Sequence, residues 1–135
     1  MYLKDPYLES LRYLENARLL LREKAGKSGQ FYRDTKYVKL ACNTAYSGLL
    51  IALSAALLLK ASPKNRLSVE DYRNALGSRN RKMLQVFNSA YNYLHLLGGY
   101  DGDLNVLTSK EGLRLAEQLI EWCRPILQKQ ALQAA

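Results

Sequence analysis

Residues 40–59 read LACNTAYSGLLIALSAALLL, an unbroken run with no charged side chain between Lys39 and Lys60. A run of this length matches a bilayer span. Its composition points elsewhere: Asn43, Thr44, Tyr46, Ser47 and Ser54 are polar, and no other segment offers a partner in a bilayer. Ala41, Ala45, Gly48, Ala52, Ala55 and Ala56 are small enough to let neighbouring helices approach closely. The stretch therefore predicts a central helix over 33–60, contacted on most sides and roughly 40 Å long at a rise of about 1.5 Å per residue.

Both flanks have helical periodicity. Asp5 before Pro6 has the form of an N-cap with proline at the first helical position. Over 6–25, Tyr7, Leu11, Leu14, Ala17 and Leu21 form one apolar stripe, and Arg12, Glu15, Arg18 and Arg22 fall outside it. Residues 26–30 read as a loop. Downstream, Ser62-Pro63-Lys64-Asn65 stops the central helix, and Ser68 with Asp71 has the spacing of a cap for a short helix ending near Gly77. Ser78 is the expected cap of the next helix, whose face is Met83, Val86, Phe87, Ala90, Tyr91, Leu94 and Leu97 and whose end is Gly98-Gly99. After a loop over 98–107, Thr108 and Glu111 have capping-box spacing. Leu113, Ala116, Leu119, Ile120, Cys123 and Leu127 then line a last helix that Pro125 is placed to kink.

No internal repeat or strand alternation interrupts this pattern. The expected fold is all-α: an antiparallel, up-and-down bundle of four long helices plus one short helix, with residues 1–135 as one domain. Such a chain is long enough to build a core without disulfides or metal. In that arrangement the loops at 26–30 and 98–107 share one end, bringing Arg33 and Lys36 near Asp101 and Asp103, while the basic residues of 60–82 gather at the other.

Apolar residues make up 48% and charged residues 24% of the chain, an ordinary globular balance that excludes a disordered tail. Ten tyrosines stand against two phenylalanines and one tryptophan, which predicts many half-buried rings with hydroxyls at the surface. The net charge of +8 favours solubility and a general affinity for polyanions. It is concentrated in residues 60–82, with a net of +5, and residues 22–39, with a net of +4. Cys42 and Cys123 lie in apolar helical surroundings outside any CxxC or Cys/His pattern and read as reduced core residues. The opening MYLKDPYLES lacks the charged start and apolar run of a secretory signal, so the expected location is the cytoplasm.

Few constellations point to chemistry. Asp101-Gly102-Asp103-Leu104-Asn105 copies the start of a calcium loop, but Val106 and Gly112 stand where the glycine and bidentate glutamate belong. His95 is the single histidine. It lacks the cysteine or carboxylate that a zinc site needs, and its available acid/base neighbours are Tyr46, Tyr91 and Tyr100. No GxSxG, Walker or GxGxxG pattern occurs, and Gly98-Gly99 precedes a loop instead of opening a helix.

The segment FYRDTKYVKLACNTAYSGLLIAL, residues 31–53, resembles small bacterial helical domains of unknown function. It has their aromatic-Asp-x-Lys-Tyr-Val entry followed by Ala-Tyr-Ser-Gly. KMLQVFNSAYNYLHLLGGYDGDLNV at 82–106 and GLRLAEQLIEW at 112–122 extend the likeness over most of the chain. More distantly, the Ala-Tyr followed by an aliphatic run is similar to HEPN domains, which occur beside nucleotidyltransferases or act as ribonucleases. The ribonuclease members place an arginine five to seven positions before a histidine. Asn88, Ser89 and Ala90 stand there, so the resemblance implies a non-catalytic accessory or ligand-binding bundle.

The expected function is a non-enzymatic binding or interaction module that self-associates as a homodimer, with no metal, cofactor or membrane. Tyr37, Tyr46, Tyr91, His95 and Tyr100 are its candidate groove. The alternative is an HEPN-like accessory that binds nucleotide or RNA through Arg79, Arg81 and Lys82.

Overall fold

The computed structural model describes residues 5–134, so the first four residues of the leader reading lie outside it. Asp5 accepts from the backbone N–H of Tyr7 (2.9 Å) and Leu8 (3.2 Å), and α1 follows as Pro6–Leu19. The helix continues as a π-wound segment, Leu20–Ala25, and ends at Gly26, whose φ of 71° suits glycine.

The expected loop at 26–30 contains a small antiparallel hairpin, β1 (Lys27–Ser28) and β2 (Phe31–Tyr32). Two-residue strands are too short to show alternation in sequence. The turn is made by Gly29, at φ 64°, as its first central residue, the backbone that suits a two-residue hairpin loop.

Asp34 caps α2 (Thr35–Ala56) by accepting from Lys36 N–H at 3.0 Å. This helix stops four residues earlier than the sequence predicts. Leu58 takes a left-handed φ of 56°, and Leu59 N–H closes back on Ser54 O at 2.8 Å. Three leucines in a row give no helix-stop signal; the turn forms because it lets Leu57 and Leu59 reach the core.

Ser68 and Asp71 make the expected reciprocal capping box of α3 (Val69–Arg79), which runs two residues past Gly77. Asn80, not Ser78, caps α4 (Arg81–Ala90), accepting from Met83 N–H at 3.1 Å. The Ser78 hydroxyl instead donates to Ala75 O, within α3. Beyond Ala90 the helix continues as a second π-wound segment, Tyr91–Tyr100, and passes through Gly98-Gly99 instead of ending there.

The last helix, α5, spans Val106–Ala134 with Pro125 inside it. Its cap is Asn105, which accepts from Leu107 N–H at 2.9 Å. Thr108 is buried and donates to Asp103 Oδ2 at 2.8 Å, while Glu111 pairs with Arg114, so the expected capping box does not form.

The chain is thus an all-α bundle with a minimal hairpin. α2 packs against α1, α5 and the π segment Tyr91–Tyr100, and Leu14, Val38, Leu49, Leu53, Phe87, Leu94, Leu119 and Ile120 are fully buried around it. The hairpin and the loop before α5 do share one end, where Tyr32 N–H donates to Leu104 O (2.8 Å) and Val106 N–H to Gln30 O (3.0 Å). Among the described residues, Arg33 and Lys36 form no ion pair with Asp101 or Asp103. Asp103 instead accepts from Thr108 and from the Asn105 backbone.

Several glycines sit where a Cβ would clash with a neighbouring element, Gly48 and Gly98 on the two sides of α2 among them. A Cβ on Gly48 would lie 2.6 Å from Tyr13 Cβ of α1, and one on Gly98 would meet the Cys42 side chain of α2. Gly98→Ala is therefore expected to destabilise the bundle by about 1–3 kcal/mol. Gly77→Ala, whose new Cβ would meet Leu84 Cδ2 at 3.4 Å, should be neutral or stabilising. Urea unfolding of the two variants checks this; equal effects would refute the close-approach account.

Candidate functional site

The residues read from the sequence as a groove separate into two groups. Tyr46 of α2 meets Tyr91 and His95 of the π segment in a closed triangle. Ring centroids lie 6.0 Å apart for Tyr46–Tyr91, 5.1 Å for Tyr46–His95 and 5.0 Å for Tyr91–His95. Tyr91 and His95 are four residues apart, a spacing that places side chains on one face of a helix, so the two rings meet.

Tyr37 and Tyr100 stand apart from this triangle. Tyr37 precedes Tyr46 by about two and a half helical turns, on the opposite side of α2, where Lys36 Nζ lies 4.6 Å from its ring centroid. Tyr100 is 77% exposed. Neither makes a ring contact with the triangle among the described residues.

Arg73 of α3 covers the triangle. Its guanidinium sits 5.0 Å from the Tyr91 ring centroid and is held by Glu70 Oε1 at 2.6 Å and Asn88 Oδ1 at 2.9 Å. Burial pushes the Tyr46 hydroxyl pKa above its ordinary value, reinforced by Tyr91 and Tyr72 and opposed by Arg73. A phenol held protonated in this way donates hydrogen bonds at neutral pH but does not act as a base. Nearby, Tyr72 stacks on Phe87 at 6.1 Å, and its own pKa is raised, first by burial. The arrangement is a packed aromatic seam between α2 and the π segment, roofed by a cation.

Arg79, Arg81 and Lys82 gather where α3 meets α4, all exposed and without an ion pair among the described residues. No group of three or more His, Cys, Asp or Glu side chains placed to hold a metal occurs among the described residues. Cys42 and Cys123 are both buried and free.

Two surfaces escaped the sequence reading. The outer stripe of α2, formed by Leu40, Thr44, Ser47, Ile51, Ala55 and the following Leu58, carries no charge although Leu40 is 48% and Leu58 70% exposed. Its signal is the uncharged run itself, which the sequence reading explains by a helix contacted on most sides. The second is a cleft of about 570 Å³ between the end of α1, the hairpin and the first turns of α5. Arg22 and Lys27 belong to the basic run at 22–39, but Lys110 and Arg114 join them from more than eighty positions away, so the charge run alone does not outline the cleft.

The likenesses to known proteins agree with this fold. Residues 5–125 match a family described as Domain of unknown function (DUF5618). A solved structure of a protein of unknown function from Dyadobacter fermentans is similar at a TM-score of 0.80 and 38% identity, over 93% of this chain and 95% of that one. No curated protein matches the chain.

The thiols give a test of the interior. Burial raises both Cys42 and Cys123 to about 12, with Asp103 adding to the effect at Cys42 and Arg79 opposing it at Cys123. Since the folded values exceed the unfolded ones, their contribution to stability is complete below the unfolded pKa of about 8.5 and is lost as pH rises toward 12. Urea unfolding at pH 8 and pH 10 should show lower stability at the higher pH, with a shallower fall in a Cys42→Ala, Cys123→Ala double variant. An identical fall in both proteins would contradict the assignment.

Proposed function

We propose that the chain, which belongs to the DUF5618 family, is a non-enzymatic binding module that pairs with a second copy of itself through the outer stripe of α2. The observation that supports this reading is the absence of charge on an exposed helical face. From Leu40 to Leu59 neither side of α2 bears a charged group, whereas the exposed positions of α1 and α5 are rich in Arg, Glu and Lys. A helix that meets only the bundle on one side and water on the other ordinarily puts its charges outside. An uncharged stripe that leaves Leu40 and Leu58 at the surface, with Ile51 half-buried between them, supports an interaction site.

The stripe is flanked by α1, whose Leu19, Leu20 and Tyr13 remain half-buried and continue the apolar face. Shallow grooves run along this seam at both ends, lined by Leu19, Leu20, Leu40 and Thr44 beside Glu23 and Lys24 at one and by Tyr13, Ile51, Ala55 and Leu58 beside Glu9 and Lys60 at the other. Two such faces related by a two-fold axis are self-complementary, the geometry of the commonest homo-oligomers. Size-exclusion chromatography with light scattering is expected to give a dimer. Leu40→Glu, placed at an exposed site that leaves the core untouched, should convert it to a monomer that keeps the wild-type helical content but loses the concentration dependence of the melting temperature. A wild-type chain that stays monomeric up to about 100 μM would refute the reading.

A second reading is supported by Arg79, Arg81 and Lys82, which together form an exposed basic corner, and by the likeness to HEPN domains: an accessory role in holding nucleotide or RNA. Changing all three to Gln should then weaken oligonucleotide binding and lower the log–log salt slope by roughly 2–3. An unchanged slope removes it.

A further inference from the structure

The cleft between α1, the hairpin and α5 shares no residue with the outer stripe of α2. Its floor comes from Leu21, Tyr32 and Leu113, which are nearly buried, and from the half-buried Val106. Around this apolar floor stand five cations, Arg18, Arg22, Lys27, Lys110 and Arg114, against one carboxylate, Glu117.

Two of the five are neutralised within the protein. Arg18 pairs with Glu117 at 3.0 Å, and Arg114 grips Glu111 through two bonds of 2.5 and 2.9 Å. Arg22, Lys27 and Lys110 have no carboxylate partner among the described residues. They come from three separate elements, and tertiary structure holds them around one concavity despite their mutual repulsion. Glu117 is engaged by Arg18 and leaves the three uncompensated.

We infer that this cleft is a binding site for a small organic phosphate, its apolar or aromatic body on Leu21, Tyr32, Val106 and Leu113 and its phosphate among Arg22, Lys27 and Lys110. The volume of about 570 Å³ lies within the range of small-molecule sites, which combine an apolar lining with a few convergent polar groups. Charge count selects the anion. A phosphate monoester carries about −1.5 to −2 at neutral pH and matches two or three cations, whereas a carboxylate leaves most of their charge unanswered. Arg22 adds the planar donor fork suited to phosphate oxygens, and the two lysines add point charges.

Calorimetric titration at low salt tests this with 1-naphthyl phosphate as probe, beside inorganic phosphate, 1-naphthoate and 1-naphthol. Saturable binding of one 1-naphthyl phosphate per chain is expected, tighter than any of the three comparators, because each lacks either the apolar body or the dianion. Arg22→Gln and Lys110→Gln, both at exposed positions, should each weaken it about tenfold, and Lys129→Gln at the far end of α5 should leave it unchanged. The assignment is overturned if 1-naphthyl phosphate shows no saturation, if 1-naphthoate binds as tightly, or if the Arg22 and Lys110 variants bind like wild type. A single-stranded oligonucleotide that displaces the probe and loses affinity in the Arg22 and Lys110 variants would also overturn it, since the cleft would then be a general polyanion patch.

Discussion

Along α2, Ala41, Ala45, Gly48, Ala52 and Ala56 present no side chain long enough to hold a neighbour away, and α1, α5 and the second π segment all close on it. At Gly48 the backbone meets Tyr13, and across the helix the bare Gly98 meets Cys42. Dispersion and apolar burial reward such contacts only when packing is dense, so one methyl group inserted at either place disturbs two helices together. Most of the remaining structure follows from this close approach. The Asn43 side chain reaches Gly99 O at 3.3 Å, Thr35 donates to Gly102 O at 2.9 Å, and these bonds seat the π segment along the first half of α2.

The π segment presents an aromatic pair to α2. Tyr91 and His95, four residues apart, share the face that meets Tyr46. The aromatic triangle occupies this face, while Leu94 and Gly98 of the same segment are buried. At the end of this segment the chain turns into the loop that pairs with the hairpin, and this pairing brings Tyr32 beside α5. The basic cleft is thus a product of the same end-to-end fit. Lys27 arrives on the hairpin, Arg22 on the π-wound end of α1 and Lys110 on α5, each placed by a different backbone device.

Electrostatics then divides the surface into unlike regions. Most ion pairs among the described residues are between side chains three apart on one helix, with Arg18–Glu117 linking α1 to α5. Exposed pairs of this kind add little stability, so their effect is to neutralise particular cations and leave others available. Arg79, Arg81 and Lys82 at the α3–α4 corner and Arg22, Lys27 and Lys110 around the cleft are unpaired among the described residues, and the outer stripe of α2 carries no charge.

Periodicity and composition were sufficient for the all-α class, for the apolar faces of α1, α4 and α5, and for the caps at Asp5 and Ser68, because each depends on residues within a turn or two of one another. Ser78 and Thr108 had the right residue types for caps, yet Asn80 and Asn105 took those roles, since which hydroxyl or amide faces the helix end depends on how the preceding chain enters. The left-handed Leu58, the hairpin and the passage of a helix through Gly98-Gly99 were likewise hidden, because distant packing favours them over local propensity. The same limit applies to function. His95, Tyr46 and Tyr91 could be named from the chain, but their closure into a packed seam, the exclusion of Tyr37 and Tyr100, and the convergence of Arg22, Lys27 and Lys110 are distances between segments far apart in sequence, which only the folded structure sets.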